Sequence, residues 1–244
     1  MKKLLIILAF ILAFVNPQVF AAPNYTVQSA SGGPISREQM SDSANVLFIV
    51  DFSNSMNENL GGTTKLKMAL STLNELLPEI PPKVNVGLRV YGHKGGFTYM
   101  QGCMASKLLV PLGTGNRNEI YSALGSTNAV GWTPITYSLK QAVNNDFVGV
   151  KGKKHIVLLT DGGENCDESP CTYVIELMKT RDDISIDVIA FDIYDYDAKN
   201  QLRCAALTTR GKFYDANNAQ QLRDSLFESL NIDKEVRGTI KINP

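Results

Sequence analysis

The chain has 244 residues, and its 24 Lys and Arg are matched by 24 Asp and Glu. With no net charge and no basic run beyond the cluster Lys151, Lys153 and Lys154, nucleic acid is not an expected partner. The length suits one well-buried core rather than two.

In chain order, Met1-Lys2-Lys3 precedes a wholly apolar stretch over 4–15 and then Val19-Phe20-Ala21-Ala22-Pro23. Charged, apolar and small-residue segments in that order read as a secretory signal peptide over 1–21. The apolar stretch falls short of the ~20 residues that cross a bilayer, so no membrane anchor is expected after cleavage. Residues 22–44 are rich in Ser, Gly, Pro, Gln and Asn without an apolar period, and read as a linker.

Order is expected from residue 45. Val46-Leu47-Phe48-Ile49-Val50 has the pattern of a strand buried on both faces. Leu66, Ala69, Leu70, Leu73, Leu76 and Leu77 recur at helical spacing until Pro78 and the Pro81-Pro82 pair stop the helix. A strand over 84–91, a Gly-rich loop through Cys103, a strand over 108–112 and a short helix near 118–124 follow. A helix beginning at Thr133-Pro134 places proline in its first turn. The remaining elements are a strand over 156–160, a helix over 169–179, a strand over 184–191, a helix over 198–208, a short strand over 212–214 and a helix over 219–230. Strands alternating with helices predict an α/β fold, a doubly wound and mainly parallel sheet with helices on both faces. The strands over 84–91 and 108–112 have no helix expected between them, which makes one edge strand antiparallel. The domain is expected to span 45–231, and 232–244 to be a tail in which 236–242 alternates like an extra strand.

Three stretches carry the chemistry: Asp51-Phe52-Ser53-Asn54-Ser55, Gly131-Trp132-Thr133-Pro134 and Thr160-Asp161-Gly162-Gly163. Asp51, Ser53, Ser55, Thr133 and Asp161 together offer two carboxylates and three hydroxyls. This oxygen-only set suits a hard divalent cation, magnesium first, with manganese or calcium as alternatives. In an open parallel sheet, the loops leaving the carboxyl ends of strands meet at one rim, where ligands bind. Asp51 and Asp161 stand at such ends, and alternate side chains of an extended loop, Asp51, Ser53 and Ser55, can aim at one point. Taken singly, each residue reads as readily as a helix cap or turn former; the conjunction carries the metal reading.

This arrangement resembles the metal-ion-dependent adhesion site of the von Willebrand factor type A domain, over residues 45–230. Tyr91-Gly92-His93, Leu109-Val110-Pro111, Gly163-Glu164-Asn165-Cys166 and Arg203-Cys204 look like segments of exported bacterial members of that family. The resemblance implies that Ser53, Ser55 and Thr133 bind the cation through hydroxyls and that Asp51 and Asp161 act directly or through water. One position is left for a carboxylate of a protein partner. The implied role is a non-catalytic, adhesion-type binding module, periplasmic or secreted. The alternatives are a metal-dependent hydrolase, which would need a base beside the open position, and a scaffold subunit of an envelope assembly.

Other motifs are weaker. No Gly-x-Ser-x-Gly elbow occurs, Asp51-Phe52-Ser53 lacks the second aspartate of Asp-x-Asp phosphoryl-transfer enzymes, and Gly61-Gly62-Thr63-Thr64-Lys65 inverts the phosphate-loop order. His93 and His155 read as core or surface residues. Glu164 reads as a solvated loop residue near the rim, and Trp132 either as an exposed contact there or as packed beneath it. The even count of cysteines in an exported chain favours two disulfides over zinc, which would want closer CxxC-like pairs. Their placement near the rim pairs Cys103 with Cys166 and Cys171 with Cys204, with a local Cys166–Cys171 bridge left open as the competitor.

Overall fold

The computed structural model describes residues 44–231. The expected signal peptide, the linker up to residue 43 and the tail from 232, with its alternating 236–242 stretch, lie outside the described residues. β1 (Asn45–Asp51) is buried along its whole length. A short 3-10 turn, Asn54–Asn57, and a hairpin of β2 (Asn59–Leu60) and β3 (Thr63–Thr64) follow it, and the chain then enters α1 (Lys65–Leu76). The Gly61-Gly62 pair is the turn of that hairpin, with φ of 59° and 95°, the two positive values that a tight right-twisted hairpin requires.

β1 owes its burial to parallel partners on both sides, β4 (Asn85–Tyr91) and β6 (Lys154–Thr160). Between β4 and β5 (Ser106–Gly113) lies α2 (Tyr99–Cys103), a helix of five residues where the sequence reads as loop. Five residues are too few to show a period, and no longer helix separates the two strands, which pair antiparallel. β7 (Ile184–Phe191) and β8 (Phe213–Ala216) continue the parallel sheet, whose order is β5-β4-β1-β6-β7-β8. The fold is therefore a doubly wound α/β sheet, mainly parallel, with one antiparallel edge strand.

Side chains alternate across a strand, and β1 divides the core accordingly. Val46, Phe48 and Val50 point to one face, packed with Leu73 of α1, Ile120 of α3 (Arg117–Ser126) and Leu226 of α7 (Ala219–Ser229). Leu47 and Ile49 point to the other, packed with Leu139 of α4 (Ile135–Gln141), Val174 of α5 (Pro170–Leu177) and Leu202 of α6 (Tyr196–Thr208). Each large apolar side chain buried this way contributes roughly 1.5–3 kcal/mol. α4 begins one residue after Pro134 and runs on into a π-helical turn, Ala142–Asp146.

From β1 the chain winds first to β4 on one side and later crosses to β6 on the other. The carboxyl ends of β1 and β6 therefore flank the point where the winding reverses, the place where loops part and leave a crevice.

Candidate metal centre

Asp51, the last residue of β1, is fully buried and held by three donors. Its Oδ1 accepts from the Ser53 amide at 2.6 Å, and its Oδ2 accepts from the Tyr91 hydroxyl at 3.0 Å and the Thr160 hydroxyl at 2.9 Å. The chain leaves β1 extended at Ser53 and turns through Asn54–Asn57, with Met56 plugged into the core. That turn brings the Ser53 and Ser55 hydroxyl oxygens to 3.0 Å, and the Ser55 hydroxyl donates to Asp161 Oδ1 at 2.7 Å. Asp161 directly follows β6. Four of the five expected residues thus form one connected group.

Thr133 reaches the same rim through the backbone. Ser53 bridges Gly131, and the Asn54 amide donates to the Gly131 carbonyl at 3.0 Å. The approach depends on glycine: a Cβ on Gly92, at φ 69°, would lie 2.5 Å from the Ser53 nitrogen, and one on Gly131 would strike the Lys94 carbonyl. Thr133 itself is buried, and its amide donates to Asn165 Oδ1 at 2.8 Å. Glu164 is half-buried rather than solvated, since Oε2 accepts from the Thr136 amide at 2.7 Å and Oε1 from the Cys166 amide at 3.0 Å. The loop after Asp161 therefore holds the start of α4 in place. Cys166 is bonded in turn to Cys103, and Cys171 to Cys204.

The family model for the von Willebrand factor type A domain matches residues 45–228. The chain belongs to the von Willebrand factor type A family. The uncharacterized protein YwmC of Bacillus subtilis (strain 168) is 31% identical over 177 residues, covering 71% of this chain and 77% of that protein. The pilus adhesin SpaC of Lactobacillus rhamnosus GG, in its open conformation, is similar with a TM-score of 0.59 at 17% identity, over 77% of this chain and 29% of that one. Proximal thread matrix protein 1 of the mussel byssus, solved with a zinc-occupied MIDAS motif, gives 0.57 at 18%, over 78% and 45%. This chain thus spans less than half of either solved chain, and at these identities the likeness is one of fold.

The donor set of this type A domain fits a hard divalent cation. Every side-chain polar atom in the connected group is an oxygen, and with Thr133 the set has three hydroxyls to two carboxylates. Burial and then the nearby Asp161 charge push the Asp51 carboxyl up to about 6. Burial also raises Asp161, against the opposing pull of Ser55 and Lys65. Two buried carboxylates that resist ionising together are stabilised by a cation between them. Among the described residues no group of three or more His, Cys, Asp or Glu gathers as a metal cage, so such an ion would depend on the hydroxyls and keep much of its charge.

Several residues of the centre have no signature in the sequence. Lys65, at the start of α1, is buried, and its Nζ lies 2.8 Å from Glu58 Oε2, 3.2 Å from Asp161 Oδ2 and 3.2 Å from Asp192 Oδ2. Burial lowers its pKa, but these carboxylates outweigh burial and raise it overall. A lysine in a first helical turn opposes the helix dipole, the one local hint that it serves another contact. Tyr91 and Thr160 hold Asp51, and burial and then Asp51 raise the tyrosine well above its ordinary range. Trp132 is half-buried and meets Tyr99 edge-on, with ring centroids 5.3 Å apart. His155 stands at the opposite end of β6 from Asp161, 3.4 Å from Asp187. Burial and then Lys94 and Lys107 keep His93 below the usual histidine range.

Proposed function

We propose that this domain is an exported, non-catalytic binding module in which Asp51, Ser53, Ser55, Thr133 and Asp161 hold magnesium, and in which a protein partner offers a carboxylate to that ion. The observation that carries this reading is the line Ser53–Ser55–Asp161, which joins the loop after β1 to the end of β6 through oxygens alone. A divalent cation there supplies a positive point with room for an outside oxygen. Neutral hydroxyls quench little of its charge, so an acidic side chain remains attractive to it. Magnesium suits the all-oxygen set better than zinc, which prefers nitrogen and sulfur; manganese and calcium are the substitutes.

The likeness to the pilus adhesin SpaC supports an adhesive use of the fold. Two disulfides support an oxidising compartment, the periplasm or the exterior, as does the signal-like segment over 1–21 ahead of a linker and a domain over 45–231. Among the described residues no helix is long and apolar enough to cross a membrane. Glu164, a carboxylate on the loop after Asp161, has both oxygens engaged by backbone amides, which supports a positioning role over that of a hydrolase base.

Thermal unfolding with magnesium or chelator tests the reading. Magnesium at ~100 times its dissociation constant is expected to add ~2.7 kcal/mol. Asp51→Ala and Thr133→Ala are each expected to erase that increment, and a wild-type midpoint indifferent to magnesium would overturn the proposal.

A further inference from the structure

The connection between β4 and β5, beside the centre, carries large apolar side chains on its outer surface. Phe97 is fully exposed, and Met100, Met104 and Tyr99 are 70%, 53% and 44% exposed. The segment is nonetheless firmly built. Thr98 caps α2 by accepting from the Gln101 amide at 3.3 Å, and Gln101 Oε1 accepts from the Phe97 amide at 3.1 Å. Cys103 is tied to Cys166, Tyr99 meets Trp132 edge-on, and Gly102 lies against the Trp132 ring so closely that a Cβ would fall 2.9 Å from it. An apolar residue before a helix cap ordinarily packs onto the fourth helical position. Here that position is Gly102, turned to Trp132, and Phe97 is left facing water. Met100 and Met104, four apart, share a side of the turn.

Single exposed apolar residues are ordinary, but several on one rigid segment mark a contact surface, and methionine adapts well to varied partners. Trp132, on which the segment rests, immediately precedes Thr133. The segment that bears the apolar face therefore packs against the loop that carries Thr133, one of the proposed metal ligands. Charge selects the partner further: Lys94 and Lys107 lie close to His93, whereas Glu164, Asp167 and Glu168 lie close to Tyr99. The cation and the lysines call for an acidic group, and the three carboxylates beside Tyr99 would repel a broad anionic lipid surface.

We infer that the face formed by Phe97, Met100 and Met104 and the metal centre together take one ligand, a protein segment in which an Asp or Glu stands beside a bulky apolar side chain. The carboxylate goes to the metal and the apolar neighbour to the face. This rests on the cation-dependent binding proposed above.

The probe is a random heptapeptide phage library selected on the purified protein with magnesium and counter-selected with chelator. Enriched peptides are expected to pair an acidic residue with an adjacent Phe, Leu, Met or Trp. Their affinity is expected to fall tenfold or more in the triple variant Phe97→Ser, Met100→Ser, Met104→Ser, while that variant keeps the wild-type magnesium shift in thermal unfolding. Acidic peptides without an apolar neighbour, or equal binding to the triple variant, would overturn the inference and leave the metal reading standing. A wild-type protein with no magnesium shift and no magnesium-dependent peptides would overturn both. Cosedimentation with phosphatidylglycerol vesicles, or self-association, either one lost in the triple variant, would assign the face to lipid or to a second copy and overturn the choice of a protein segment.

Discussion

Asp51 concentrates the electrostatics of the rim in one side chain. Three donors fix its oxygens, yet burial and Asp161 still push its carboxyl up to about 6 from an ordinary 3.8. Lys65 pairs with Asp161 and Asp192, and burial keeps the ionised form of Asp51 costly without a metal. A folded-state pKa above the unfolded one means that the native chain binds the extra proton between those two values. Stability in chelator should therefore fall as pH rises from about 4 to about 6, and then level off. A bound cation favours the ionised carboxylate, so the gap between magnesium and chelator should widen across the same window. Urea midpoints at several pH values measure both, with Asp51→Asn as the reference that removes the Asp51 share of the slope. A wild-type slope of opposite sign, or one unchanged in Asp51→Asn, would contradict the assignment.

At the scale of elements, α4 is tied at both ends. Its start is held by Glu164 and Asn165 from the loop after β6. Beyond its last turn, the π-helical segment delivers Asp146 to Arg89 of β4, with Nε to Oδ2 at 2.6 Å and Nη2 to Oδ1 at 2.7 Å, while Arg89 Nη1 donates to Ser106 of β5. Both partners are almost fully buried. Removing one charge from such a pair strands the other, so Arg89→Met or Asp146→Leu alone should cost about 3–5 kcal/mol, and the double substitution markedly less than their sum. Denaturant unfolding of the four proteins checks this, and additive losses would show that the two do not act as a pair. Neither contact was legible beforehand. The elements themselves were: the apolar run of β1 and the bounds of β7 at 184–191 follow from patterning, because a strand buried on both faces must be apolar throughout. α2 and the β2–β3 hairpin have no such signature, because two to five residues carry no period; only the Gly61-Gly62 pair marks the hairpin, as its turn.

Across the whole molecule, what the sequence could not convey is how distant loops lean on one another. Strand ends and the order of the motifs were enough to bring Asp51, Ser53, Ser55 and Asp161 to one rim, since topology alone places the ends of β1 and β6 side by side. Lys65, Tyr91, Thr160, Glu164 and Asn165 contribute through contacts between segments far apart in the chain, and no local spacing encodes those. The disulfides differ from these: four cysteines allow three pairings, and the pairing expected from their placement, Cys103 with Cys166 and Cys171 with Cys204, is the one found. The two bridges are unlike in consequence. Cys103–Cys166 joins α2 to the loop that positions Thr133, whereas Cys171–Cys204 joins two helices on one face of the sheet. Each closes a long loop, and each should contribute about 2–4 kcal/mol. The double substitution Cys103→Ser/Cys166→Ser should lower stability by that amount and also weaken magnesium binding several-fold, because the Thr133 loop loses its tether. Cys171→Ser/Cys204→Ser should lower stability comparably while magnesium affinity, measured by calorimetry on the folded proteins, stays within a factor of two. Equal affinities in the two double variants would mean that Glu164 and Asn165 hold the centre without help from the bridge.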